Sequence, residues 1–193
     1  MRIILATNNK NKLREISQIL SPLGYEVVTQ SDAGINIEVD ETGVTFAENA
    51  YLKAKAIFDL TDNCCVLADD SGLMIDYLNG EPGVYSARYG GTKNDKDHND
   101  LVLKKLSGVP DEKRTARFVC AMCFIKADGE VIAVEGKCEG KIAAEPSGEN
   151  GFGYDPIFMF GDKSFAEIPA DEKNRVSHRA NAIKMLLQSL NTN

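Results

Sequence analysis

The sequence predicts an α/β fold built on a mixed β-sheet. Three observations lead there. Early in the chain, short apolar strands alternate with amphipathic helices, the pattern of parallel pairing through crossovers. Later, two long apolar runs in "RFVCAMCFIKADGEVIAVEGKCEG" flank Asp128-Gly129, a strong hairpin turn signal. A closing helix carries Ile183, Leu186, Leu187 and Leu190 at i, i+3, i+4 and i+7.

Each element has a local reason. Ile3 to Ala6 form an apolar strand that runs into a polar turn, Thr7, Asn8, Asn9, Lys10, Asn11 and Lys12. A helix follows over roughly residues 11–21, with Leu13, Ile16 and Leu20 as its stripe and Pro22 and Gly24 as its stop. "YEVVT" from Tyr25 reads as a strand. Thr45 and Glu48 form a capping box, so a helix starts there. Phe46, Ala50, Ala54 and Ile57 line its inward face, and Lys53 borders that face. "CCVLADDSGL" reads as a buried strand ending at Asp69 and Asp70. "GEPGVYSARYGG" reads as a structural loop, and a helix is expected over roughly Asp97 to Leu106. "SGENGFGYDPIF" is a glycine-rich loop with two aromatics, and Ser177 is an N-cap for the last helix.

Composition bounds the function. The 193 residues are 43% hydrophobic, enough for one globular domain with a sizeable core. A net charge of −7 argues against a general nucleic-acid binder. It leaves room for a small anionic ligand in a local basic pocket. Cys120 and Cys123 make one C-x-x-C, but a three-residue offset in a strand points them to opposite faces. With Cys64, Cys65 and Cys138 they read as buried free thiols rather than a zinc or redox site. "MRIILA" is too short for a signal peptide, and no apolar run approaches a membrane span. The expectation is a soluble, cytoplasmic protein with no membrane partner.

Neither a Walker A pattern nor a dinucleotide fingerprint is present. The opening turn offers another anion site. Helix-start N–H groups, Thr and Asn side chains, and Lys10 and Lys12 could together hold phosphate. An ordinary Asn cap with solvated lysines is the competing account. Asp69-Asp70 is either a site carboxylate with its neighbour or a turn-forming pair. With Asp40-Glu41 as a second acidic pair, Mg²⁺ bridging carboxylates and phosphates becomes possible. Arg179, four residues before Ile183, faces inward and needs either a ligand or a structural ion pair. Phe152 and Tyr154 either stack on a ring or anchor their loop.

Taken together, "LATNNKNKLREI", "ETGVTFAENAYLKA", "ADDSGL", "PGVYSARY", "GFGYDPIF" and "EKNRVSHRANA", in that order, resemble the inosine triphosphate pyrophosphatases, also called dITP/XTP pyrophosphatases. The resemblance spans essentially the whole chain. It implies an elongated α/β fold with a long mixed sheet and two lobes around a cleft, usually as a homodimer. It implies hydrolysis of non-standard purine nucleoside triphosphates to the monophosphate and pyrophosphate, with Mg²⁺. On this sequence, Thr7 to Lys12 would hold the triphosphate, with Lys53 assisting. Glu41 and Asp70 would bind the metal with Asp69 close by, and Asp70 would also accept the proton of the attacking water. Ser71 would contact the nucleotide. Phe152, Gly153, Tyr154, Asp155, Lys173, His178 and Arg179 would surround base and sugar. Many relatives have glycine where this chain has Asn8. A Maf-like pyrophosphatase acting on modified pyrimidine nucleotides, or a nucleotide-binding regulator without turnover, are the rival readings.

Overall fold

The computed structural model describes residues 1–192. Seven strands form one sheet: β1 (Arg2–Leu5), β2 (Glu26–Thr29), β3 (Cys65–Ile75), β4 (Thr115–Ile125), β5 (Val131–Ile142), β6 (Phe158–Phe160) and β7 (Lys163–Ser164). Their order is β2-β1-β3-β4-β5-β6-β7. β1 pairs parallel with both β2 and β3, whereas β5/β6 and β6/β7 are antiparallel. The sheet is therefore mixed, as expected from crossovers early and hairpins late. Among the described residues, five α-helices accompany it: α1 (Lys10–Leu20), α2 (Phe46–Phe58), α3 (Asp95–Lys105), α4 (Ala170–Val176) and α5 (His178–Thr192).

The chain divides into two compact units, each with its own core. Unit 1 comprises Met1–Asp70, Cys120–Gly136 and His178–Asn193, and unit 2 comprises Ser71–Val119 and Lys137–Ser177. In unit 1, Ile3, Leu5, Ile16, Leu20, Leu67, Phe124 and Ile183 are buried together. These are the inward positions of β1, α1, β3, β4 and α5, so burial follows the periodicities read from the sequence. In unit 2, Leu73, Ile75, Phe118, Phe158 and Phe165 form the second cluster. The Phe118, Phe158 and Phe165 rings meet at centroid separations of 4.6 to 5.8 Å.

Two secondary-structure expectations are corrected. β3 does not end at Asp69-Asp70 but runs on to Ile75, because Leu73 and Ile75 beyond the carboxylates are fully buried in the second cluster. "GVYSARYGG" is not plain loop; Gly83–Gly91 winds as 3₁₀ turns, interrupted from Arg88 to Gly90. The Thr45/Glu48 capping box is present on α2, with both reciprocal bonds made. Among the cysteines, Cys120, Cys123 and Cys138 are buried, but Cys64 and Cys65 are only half-buried. Burial pushes the Cys123 and Cys138 thiols up to about 11, far from the thiolate needed for redox or metal chemistry.

Gly136 on β5 lets the strand approach α5 closely. A Cβ there would lie 2.2 Å from the Ala182 amide nitrogen and 2.4 Å from the His178 carbonyl oxygen. Both are backbone atoms, which cannot swing aside. Gly136→Ala is expected to cost about 1–3 kcal/mol, as overpacking does. A thermal melt checks it: an unchanged Tm would show that β5 and α5 are not tightly apposed.

Candidate active site

In unit 1, the turn between β1 and α1 is held by its own side chains. The Asn9 N–H donates to Thr7 Oγ1 at 3.2 Å. Asn9 Oδ1 accepts from the Asn11 and Lys12 amides at 2.9 and 3.2 Å, making Asn9 the N-cap. Asn8 Oδ1 accepts from Ser31 Oγ at 2.8 Å, so this side chain ties the turn to the segment after β2. The capping account is therefore correct for Asn9, and two of the orphan helix-start donors are already used. Lys10 remains exposed. Lys12 is not a solvated lysine: its Nζ lies 3.0 Å from Asp69 Oδ2, with its side chain 15% exposed.

Asp69 and Asp70 occupy successive positions on β3 and so point to opposite faces. On one face, Asp69 Oδ2 meets Lys12 and, at 3.1 Å, Arg179 Nη2. Arg179 Nη1 also pairs with Glu15 Oε2 at 2.5 Å. Arg179, Asp69 and Glu15 are all buried. Burial alone would lower the arginine's proton affinity, but Asp69, with Cys120 and Glu15, more than compensates and raises it. The inward Arg179 expected from the Ile183 spacing thus has two carboxylate partners. Glu15 was missed in the sequence. Its only signal was a carboxylate beside Ile16, next to the apolar stripe of α1.

On the other face, Lys53 Nζ lies 2.6 Å from Glu41 Oε1 and 3.1 Å from Asp70 Oδ1. Asn49 completes this group. Its Nδ2 donates to Asp70 Oδ2 at 3.2 Å, while its Oδ1 accepts from the Gly43 amide at 2.8 Å. Asn49 is fully buried and was also missed, being read only as a helix position between Glu48 and Ala50. Burial dominates at Asp70 and raises its carboxyl above the ordinary range, against the opposing pull of Lys53 and Lys12; Glu41 adds to the rise. At Lys53, burial works downward, but Asp70, Asp69 and Glu41 outweigh it and raise the ammonium. Lys53 stays charged while Asp70 is unusually basic for a carboxylate. Glu41 and Asp70, from separate segments, converge on one cation. Among the described residues, no group of three or more His, Cys, Asp or Glu is arranged to hold a metal. Two carboxylates suffice for Mg²⁺ when phosphate oxygens and water supply the other ligands.

In unit 2, the glycine-rich loop is shaped by Asp155. Asp155 Oδ2 accepts from the Phe152 amide at 2.8 Å and from Lys173 Nζ at 2.5 Å. Gly151 and Gly153 have φ of +76° and +63°, in the region that favours glycine, and a Cβ on Gly151 would lie 2.0 Å from Asp155 Oδ2. The Lys173 ammonium sits 5.0 Å from the Phe152 ring centroid. Tyr154 is an anchor: it is buried, and its hydroxyl donates to the Ser86 carbonyl at 2.8 Å. Phe152 is only half-buried. Ser71, the first β3 residue of this unit, is half-buried as well. The structure thus gathers Lys12, Glu41, Lys53, Asp69, Asp70 and Arg179 within unit 1, where His178 is also buried at the start of α5. It gathers Phe152 to Asp155 with Lys173 within unit 2.

Comparison with known proteins agrees with this architecture. The Ham1 family model matches residues 3–189, and the chain belongs to that family. The dITP/XTP pyrophosphatase of Bacillus subtilis (strain 168) is 50% identical over 190 residues, spanning 97% of this chain and 96% of that protein. The dITP/XTP pyrophosphatase of Desulforamulus reducens is 46% identical over 194 residues, spanning 99% and 96%. The solved structure of the Staphylococcus aureus Ham1 protein superposes with a TM-score of 0.87 at 40% identity, covering 100% of this chain and 99% of that one.

Two expectations follow from the geometry. Glu15→Ala leaves a buried guanidinium with one carboxylate in place of two. Losing one partner of a buried pair costs about 3–5 kcal/mol, and the remaining Asp69 places the loss at the low end. A urea midpoint unchanged from the parent would contradict it. The pH dependence at Asp70 has the opposite sign to that of an ordinary ion-paired carboxylate. A carboxyl whose folded proton affinity is raised gives stability below its ordinary range and loses it as pH rises through the folded value. In EDTA the Asp70 contribution is therefore expected to fall as pH rises out of the ordinary carboxylate range, and Asp70→Asn, which cannot titrate, should lack that component of the pH dependence. Chemical denaturation of parent and variant at several pH values measures it.

Proposed function

We infer that the chain is a nucleoside-triphosphate pyrophosphatase, hydrolysing the non-standard purine nucleotides ITP, dITP and XTP to the monophosphate and pyrophosphate. The relatives' names and the ordered motifs support this substrate class over modified pyrimidines. The observation that carries the catalytic reading is the group Glu41–Lys53–Asp70. It places a basic carboxylate beside a charged ammonium and a second carboxylate.

Release of pyrophosphate requires water to attack the α-phosphorus. Asp70 takes the water's proton, a role suited to a carboxylate whose proton affinity burial has raised. Glu41 and Asp70 are the residues that would hold Mg²⁺, with Asp69 close by on the strand. Bound there, the metal supplies charge neutralisation at phosphate oxygens. Lys53, already drawn to those carboxylates, and Lys10 and Lys12 at the start of α1 stabilise charge on the leaving group. The Thr7–Lys12 turn orients the triphosphate, with the Asn9 cap and the Asn8–Ser31 bond fixing its shape. Ser71 contacts the nucleotide. Phe152 to Asp155 and Lys173 receive base and sugar.

His178 and Arg179 belong to the same reading. Hypoxanthine and xanthine present a C6 carbonyl, which only accepts hydrogen bonds, and adenine presents an amino group there. A guanidinium can donate and never accept, so keto purines are preferred. Because Arg179 is buried between Glu15 and Asp69, its contribution runs through the backbone it holds at the start of α5. The resemblance also supports a homodimer acting in the cytoplasm. Among the described residues no helix is long and apolar enough to cross a membrane.

A pyrophosphate-release assay tests the reading. ITP and XTP are expected to be turned over well above ATP in the presence of Mg²⁺, with activity lost in EDTA. Asp70→Asn should lower kcat at least about 10²-fold, the lower bound for a general base. Binding of ITP without turnover would instead identify a nucleotide-sensing regulator. Equal kcat/KM for ITP and ATP would remove the purine selectivity.

A further inference from the structure

Sequence reading assigns α3 no role beyond a helix over roughly Asp97 to Leu106, yet it grips the glycine-rich loop. Asp95 Oδ2 accepts the Gly153 N–H at 2.8 Å. Asn99 Nδ2 donates to the Gly153 carbonyl at 3.1 Å. Both polar groups of one loop residue are thus bound by two side chains of one helix. Asp95, His98 and Asn99 stand at i, i+3 and i+4, so they share a helix face. His98 also faces the loop, its ring stacked on Tyr154 at a centroid separation of 5.9 Å. His98 and Asn99 are buried; Asp95 is exposed.

We propose that Asp95 and Asn99 are positioning residues for purine selection: by holding Gly153 through both its backbone groups, they fix Phe152 in the orientation that receives the base. The proposal rests on the reading of the chain as a purine nucleoside triphosphate pyrophosphatase. Gly153 lies between Phe152 and Tyr154 with a left-handed φ of +63°. A glycine has many conformations open to it, so such a residue does not fix its neighbours by itself. Tyr154 and Asp155 are fastened on its C-terminal side by Ser86 and Lys173. Phe152 has its amide held by Asp155 but its ring only half-buried. The peptides on either side of Gly153 are what set the ring's direction, and α3 controls both of them.

The two contacts differ chemically, and that makes them separable. Asp95 acts as an acceptor, which an asparagine oxygen can replace. Asn99 acts as a donor, which an aspartate cannot replace, because its carboxylate would oppose the Gly153 carbonyl. Asp95→Asn is therefore expected to behave as the parent. Asp95→Ala and Asn99→Asp should each raise the KM for ITP about 3- to 10-fold, the range for losing one ordering hydrogen bond. Their kcat for ITP should stay within about twofold, since the phosphate and carboxylate groups of unit 1 are untouched. The preference for ITP over ATP should fall with them. Amide exchange at Gly153 should quicken in Asp95→Ala, whose exposed position leaves the fold intact should Asn99→Asp fail to fold. A purely structural role would lower kcat and Tm together and leave KM and selectivity unchanged. That outcome, or parental KM and selectivity in a folded Asp95→Ala, overturns the proposal. Parent enzyme that leaves ITP intact in the same assay overturns the functional reading itself, whereas active parent with indifferent variants overturns only the clamp.

Discussion

A buried carboxylate, Asp69, is the constraint on which unit 1 depends. It sits in the middle of β3 with Lys12 from α1 and Arg179 from α5 both on its Oδ2 oxygen. Removing a charge from water costs several kcal/mol, so each of these three groups is tolerable only because the others are present. Glu15 is the fourth member and balances the second cation with a second carboxylate. Two positive and two negative groups then leave the interior neutral. The cost of burial becomes a requirement on geometry: α1 and α5 must each bring their cation to one point of the strand. The apolar packing of Ile16, Leu67 and Ile183 is not directional, whereas this network is.

The alternation of a β-strand turns that structural device into a chemical one. Because Asp69 faces the Arg179 side, Asp70 must face the other. There it meets Lys53, Glu41 and the fully buried Asn49. The two adjacent aspartates have opposite surroundings. Asp69 is satisfied by paired cations, while Asp70 lies where desolvation outweighs its single direct ammonium partner. A carboxylate that holds a proton more readily than usual suits a base for water activation. The stability lost at Asp70 is the counterpart of that reactivity.

Unit 2 solves a different problem, holding a glycine-rich segment still. Its glycines supply φ values that other residues rarely adopt, but they also leave the segment without rigidity of its own. Groups from outside the loop supply it. Lys173 comes from α4, Asp95 and Asn99 come from α3, and Ser86 lies in the 3₁₀ turns of Gly83–Gly91. "PGVYSARY" is thus structural in part through Ser86, which receives the Tyr154 hydroxyl at its carbonyl.

The sequence by itself determined the elements whose causes are local. The Thr45/Glu48 box, the Asp128-Gly129 turn, the inward faces of α1, α2 and α5, and the mixed sheet all follow from spacing and periodicity over a few residues. The ordered motifs also identified the family, because six polar clusters in fixed order are hard to meet by chance. The sequence went wrong at Asp69-Asp70, where two charges look like a strand end. Local polarity favours a turn, and only partners 57 to 110 residues away, Lys12 and Arg179, make continued burial possible. Separation along the chain likewise hid Glu15, Asn49 and the α3 residues that hold Gly153. Nothing in a helix segment announces that one of its polar groups will meet a strand or a loop far along the chain. Such pairings exist only once the backbone has brought the elements together, so the tertiary structure alone decided which carboxylates are paired, which one is basic, and what holds the loop.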